Sequence, residues 1–104
     1  MGYYTSHTLE VANGDDSLIE QFIAECEDAA YALDAAGECR QESKWYSCDK
    51  DLKAFSIKHP GVLFILKGVG EESDDIWIEY HKNGKVQACK AKIVFADFDE
   101  NKLI

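Results

Sequence analysis

At 104 residues, 46% of them hydrophobic, the chain has material for one modest core, and a single domain spanning 1–104 is expected. Twenty Asp and Glu against eleven Lys and Arg give a formal charge of −9. That balance argues against direct binding of nucleic acid, which needs a basic footprint, and suits association with a basic protein surface or mere solubility.

No apolar run reaches the roughly 18 residues of a membrane span, and the polar start carries no signal-peptide core, so no membrane partner is expected. Inside a cell, the four cysteines Cys26, Cys39, Cys48 and Cys89 then read as thiols or metal ligands rather than disulfides. The charges come in blocks: residues 1–40 hold nine acids and one base, 68–81 five acids and no base, and 82–92 four bases and no acid. Blocks of one sign are an interaction feature, although the acidic and basic arms of a hairpin also neutralise one another.

Tyr3 to Val11 alternates in character and predicts a strand, with His7 on its more apolar side as a structural histidine. Asn13-Gly14-Asp15-Asp16 is a turn, and Ser17-Leu18-Ile19-Glu20 has the spacing of a capping box. Leu18, Ile19, Phe22, Ile23, Cys26, Ala29, Ala30 and Leu33 recur at three and four residues, predicting one helix with a buried stripe, ended by Gly37. Glu38 to Lys44 is a loop and Trp45-Tyr46 a short strand. Ser47-Cys48-Asp49 opens a second helix with Leu52 and Phe55 inward, stopped by His59-Pro60-Gly61.

Val62 to Leu66 is apolar on both faces, as a central strand covered on each side would be. Gly68-Val69-Gly70 precedes acids, has no third glycine and no Lys-Ser/Thr, and so reads as a bend or bulge rather than a phosphate cradle. Asn83-Gly84 between two alternating runs is a type I′ hairpin signature, because both central residues need positive φ. It sets Lys82 against Lys85, Tyr80 against Gln87, Ile78 against Cys89, Trp77 against Lys90 and Ile76 against Ala91. The face with Ile76, Ile78, Tyr80, Cys89, Ala91, Ile93 and Phe95 is expected to cover a core; Asp75, Trp77, Glu79, Lys90 and Lys92 are expected to meet water or a partner. Ala96 to Ile104 is an acidic tail. The order predicts an α+β domain: a mainly antiparallel sheet with a C-terminal β-meander and two helices packed on one face.

No catalytic constellation emerges, and no enzyme is expected. Cys39 and Cys48 lack a tight CxxC knuckle but are the candidate ligands for zinc, with a metal-stabilised structural or adaptor protein as the corresponding role. Cys48, near a helix N-terminus, is also a candidate for a lowered thiol pKa. That metal-stabilised role is the alternative to the first reading, an acidic tip of Glu71, Glu72, Asp74 and Asp75, with Trp77 as a desolvated anchor and Glu79 beside it, offering a phosphate-like row to Lys and Arg of a nucleic-acid-handling protein. A solvated turn whose acids discourage edge pairing is the plainer reading of the same residues.

Tyr4-Thr5-Ser6-His7-Thr8-Leu9-Glu10-Val11, Asp28-Ala29-Ala30-Tyr31-Ala32-Leu33-Asp34, Lys44-Trp45-Tyr46, Gly70-Glu71-Glu72-Ser73, Asp75-Ile76-Trp77, Asn83-Gly84-Lys85 and Cys89-Lys90-Ala91 together resemble a family of roughly hundred-residue proteins encoded by phages and prophages of low-GC bacteria. Small acidic proteins of that kind include inhibitors of host defence, and the chain looks like a candidate type II anti-CRISPR protein. The resemblance implies a non-enzymatic inhibitor in the host bacterial cytoplasm whose partner is a basic defence protein, a CRISPR nuclease in the first place. It adds some weight to zinc at Cys39 and Cys48, and no individual site residue is carried over from it.

Overall fold

Asn83 and Gly84 both take positive φ, 53° and 75°, and the hairpin they close has the register expected of a type I′ turn. In the computed structural model, which describes residues 2–104, β3 (Ile76–Lys82) pairs with β4 (Lys85–Lys90) antiparallel, Trp77 opposite Lys90, Ile78 opposite Cys89 and Lys82 opposite Lys85. Two earlier strands, β1 (Thr5–Val11) and β2 (Phe64–Gly70), complete a four-stranded antiparallel sheet of order β1-β2-β3-β4. Leu9 lies opposite Leu66, and Leu66 opposite Glu79.

Among the described residues there are three α-helices, α1 (Ser17–Glu25), α2 (Glu27–Ala32) and α3 (Cys48–Lys58). The expected single first helix breaks at Cys26, which takes φ −127° and ψ 110° and serves as the end of one helix and the start of the next. Two features favour the break. Glu27 and Asp28 lie in the first turn of α2, where the exposed N–H groups favour negative charge. The Cys26 thiol also donates to Asp51 Oδ2 at 3.6 Å. That same oxygen accepts from Trp45 Nε1 at 2.7 Å and Ser47 Oγ at 3.1 Å, so one carboxylate on α3 gathers the helix junction and the loop before α3.

The start of α1 also differs in detail from the expected capping box. No side chain caps its first turn at the helix-start position; instead Asp15 Oδ1 accepts from the Ser17 N–H at 2.9 Å, which holds the Asp15 carboxyl below its ordinary pKa. Trp45-Tyr46 is not a strand. The segment before it runs along the outer edge of β1, with the Thr5 and Ser43 backbones exchanging bonds of 2.9 and 3.0 Å and the Leu9 N–H donating to Gly37 O at 2.7 Å. Gly37 lies in this loop, beyond the end of the helix it was expected to close.

The core forms between the helices and one face of the sheet: Leu9, Val11, Phe64 and Leu66 from the strands meet Ile19, Phe22, Ala29, Leu52 and Phe55 from the helices. That arrangement inverts the facing expected of β3 although its register is as expected. Paired residues share a face, so Phe64 opposite His81, Leu66 opposite Glu79 and Gly68 opposite Trp77 put His81, Glu79 and Trp77 on the helix side. His81 is fully buried and Trp77 packs against the core. Ile76, Ile78 and Tyr80 face away, half-buried, with Cys89 and Ala91 beside them.

β2 is likewise covered on one side only. Phe64, Leu66 and Gly68 are buried while Lys67 and Val69 are exposed. The glycines expected to bend the chain lie within this strand. A Cβ on Gly68 would stand 2.1 Å from Trp77 Cζ2, so the bare backbone there is the seat of the indole ring.

Candidate partner-binding surface

Residues 71–75 turn the chain from β2 into β3 and place four carboxylates at one end of the sheet. Glu71, Glu72 and Asp74 are exposed and Asp75 is half-buried. The turn is held by its own backbone, with Gly70 N–H donating to Asp75 O at 2.8 Å and Asp75 N–H to Glu72 O at 3.1 Å. It is held equally by the two residues that precede β1. The Tyr3 hydroxyl donates to Asp75 Oδ2 at 2.6 Å and accepts from the Glu72 N–H at 3.1 Å, while Glu71 Oε2 accepts from the Tyr4 N–H at 2.8 Å.

Tyr3 is itself fixed by its N–H donating to the Tyr46 hydroxyl at 2.9 Å. The Asp75 carboxylate raises the Tyr3 phenol above its usual pKa, since it stabilises the protonated donor. A groove of about 640 Å³ opens beside the tip, lined by Tyr3, Glu72, Asp74, Asp75, Lys90 and Ile93. No local pattern marks the tyrosine's role: Tyr3 and Asp75 are 72 residues apart, and the β1–β2 pairing brings them together.

Of the six residues expected on this surface, Glu71, Glu72, Asp74 and Asp75 are brought together, and Trp77 and Glu79 are not. Trp77 stands with its ring 5.9 Å from that of His7, which in turn lies 5.2 Å from Trp45. It therefore belongs to the core side and does not anchor a partner at the tip. Glu79, its side chain 15% exposed, pairs its Oε1 with His81 Nε2 at 2.9 Å, and His81 Nδ1 is buried without a hydrogen-bond partner. The negative charge of Glu79 thus acts inward. His7, buried on the same side as expected, has its pKa lowered by burial.

Cys39 and Cys48, the expected zinc ligands, are not gathered with further donors among the described residues. Cys39 sits half-buried where its backbone bridges to Leu33, and Cys48 is buried at the first position of α3. Among the described residues no group of three or more His, Cys, Asp and Glu converges on a point that could hold a metal ion. A structural zinc site needs four such donors in a tetrahedron, so Cys39 and Cys48 do not fit one. The helix start does not activate Cys48 either: burial, followed by the nearby charge of Glu79, pushes its thiol up to about 12, which keeps it protonated.

What the tip offers is charge and shape: four neighbouring carboxylates, three of them exposed, with a groove alongside. No helix among the described residues is long and apolar enough to cross a membrane. Comparison with known families, with curated proteins and with solved structures finds no match to this chain.

Proposed function

We propose that the chain is a non-enzymatic inhibitor of phage or prophage origin that occupies a basic, nucleic-acid-facing surface of a bacterial defence protein, in the first place a CRISPR nuclease. The observation that carries the reading is the acidic tip: Glu71, Glu72 and Asp74 project from a turn pinned by Tyr3 and Tyr4, and neither ion pair formed among the described residues engages them. A turn whose backbone is held in place before binding loses little backbone freedom on meeting a basic groove, and its carboxylates compete there with phosphates. The phage context comes from the sequence resemblance alone.

The test reverses charge where the fold does not depend on it. Glu72 and Asp74 have exposed side chains outside the Tyr3 and Tyr4 bonds, whereas Asp75 carries one of them. The variant Glu72→Lys, Asp74→Lys is expected to fold as the parent does and to lose inhibition of guide-directed DNA cleavage, while inhibition by the parent weakens as salt rises, since exposed charges are screened within about 10 Å at 0.1 M salt. A folded double variant that inhibits as well as the parent overturns the role of the tip, and a parent that leaves cleavage by type II nucleases unaffected overturns the choice of target.

A further inference from the structure

Beyond β4 the chain continues for fourteen residues, 91–104, every one of them exposed. This arm holds a 3-10 turn at Glu100–Lys102 and otherwise neither helix nor strand. Its apolar side chains are Ile93, Val94, Phe95, Phe98, Leu103 and Ile104, each at least 64% exposed. The arm also stretches the molecule: the radius of gyration is 16.3 Å and the long axis 55 Å, against roughly 13 Å expected for the radius of a globular chain of this length.

The sheet has a second uncovered apolar surface. Its outer face, away from the helices, presents Ile65, Val69, Ile76, Ile78 and Tyr80 across two central strands, with Lys67 among them and Lys82 and Lys85 at the hairpin end. The two surfaces match in chemistry. The arm carries Asp97, Asp99 and Glu100 among its apolar groups, with Lys92 and Lys102 at its two ends, and the face carries Lys67, Lys82 and Lys85, with Glu10 on β1 opposite Ile65. The arm leaves β4 at the acidic-tip end, the far end from Lys82 and Lys85, and none of its residues is buried against the sheet.

We propose that the occupant of this face is the arm of a second copy of the same chain. In the resulting two-fold dimer each arm lies across its partner's outer sheet face, with Phe95 and Phe98 on Ile65, Ile78 and Tyr80, and Asp97, Asp99 and Glu100 toward Lys67, Lys82 and Lys85. The exchange is self-complementary, as a closed two-fold interface requires. Fourteen extended residues reach roughly 45 Å at about 3.3 Å each, enough to cross a sheet of seven-residue strands. Six exposed apolar side chains at roughly 120 Å² each, contributed by both arms, remove on the order of 1,400 Å² from water before the sheet faces are counted, which is the size of a stable specific interface.

The experiment is sedimentation equilibrium of the full chain, with far-UV circular dichroism as the folding control. The parent is expected to sediment as a dimer of 11.7 kDa protomers at micromolar concentration. Phe95→Ser with Phe98→Ser touches only exposed positions, so the fold is unchanged, and the dimer dissociation constant is expected to rise by about 100-fold or more, given four aromatic side chains lost per dimer. Ile78→Ser on the receiving face is expected to weaken the dimer in the same direction, and raised salt to weaken it through the lost acid–lysine pairs. A monomeric parent at several hundred micromolar overturns the proposal, whether the arm is free or folded onto its own chain. So does a dimer that survives the arm variant, and so does one that responds to the arm variant but not to a folded Ile78→Ser.

Discussion

Replacing Gly68 by alanine tests the facing of β3 directly, because the sign of the effect depends on where Trp77 can go. In most strands an added methyl is mildly favourable, since glycine carries excess backbone entropy and packs nothing. Here the new Cβ would stand 2.1 Å from Trp77 Cζ2 and 2.2 Å from Cε2, whereas ordinary carbon contacts lie near 3.5–4.0 Å, so the ring must shift by about 1.5 Å. A ring on the open face would swing into solvent at little cost. This one is backed by the His7 ring at 5.9 Å and by the core, so the strain is expected to reach about 1–3 kcal/mol, the range for overpacking. Thermal unfolding of Gly68→Ala should fall by roughly 4–8 °C for each kcal/mol lost. In a Trp77→Leu background the same alanine should cost little, giving a coupling energy of at least about 1 kcal/mol in a double-mutant cycle. Gly68→Ala as stable as the parent, or an equal loss in both backgrounds, would refute the packing described for Trp77.

Two other outcomes follow from the interior. Asp51→Ala leaves the Trp45 indole N–H, in a residue only 3% exposed, without its acceptor, and should cost about 2–3 kcal/mol in urea unfolding; Asp51→Asn keeps an oxygen in place and should cost less than about 1 kcal/mol, equal losses counting against a hydrogen-bond origin. His7 has a pKa lowered by burial, so below its unfolded value near 6.5 the unfolded chain binds a proton that the folded chain resists. Stability should therefore fall with decreasing pH from about 6.5 down to the folded pKa, by up to about 1.4 kcal/mol per pH unit, and His7→Gln should remove that part of the slope. Parallel stability profiles for parent and variant between pH 7 and 5 would disprove it.

Much of the architecture was legible because it rests on local chemistry. Asn83-Gly84 specified the hairpin register, Tyr3 to Val11 the first strand, and His59-Pro60-Gly61 the end of α3. The facing of β3 was not legible from that strand, since its more apolar set, Ile76, Ile78 and Tyr80, is the one turned away from the helices, while Trp77, Glu79 and His81 point inward. It is decided on β1 and β2, where the helices close on Leu9, Val11, Phe64 and Leu66 and the β2–β3 register carries that choice to Trp77, Glu79 and His81. One signal was present: Lys67 alternates with Phe64 and Leu66, marking the other face of β2 as the outer one. The four clustered acids of the tip were legible as neighbours in the chain, but their support by Tyr3 depends on pairing across the whole sequence.

The pairing of β1 with β2 has a consequence for synthesis on the ribosome. Each residue of β1 meets a partner that emerges between 53 positions later, for Val11 and Phe64, and 65 positions later, for Thr5 and Gly70. At about 5–20 residues per second the first strand waits roughly 3–13 s for the second. The backbone of Ser43 and Gly37, translated well before β2, already meets the opposite edge of β1. That loop can serve as a temporary neighbour for the nascent strand, occupying one of its edges through the interval when an unpaired strand is most exposed to mispairing.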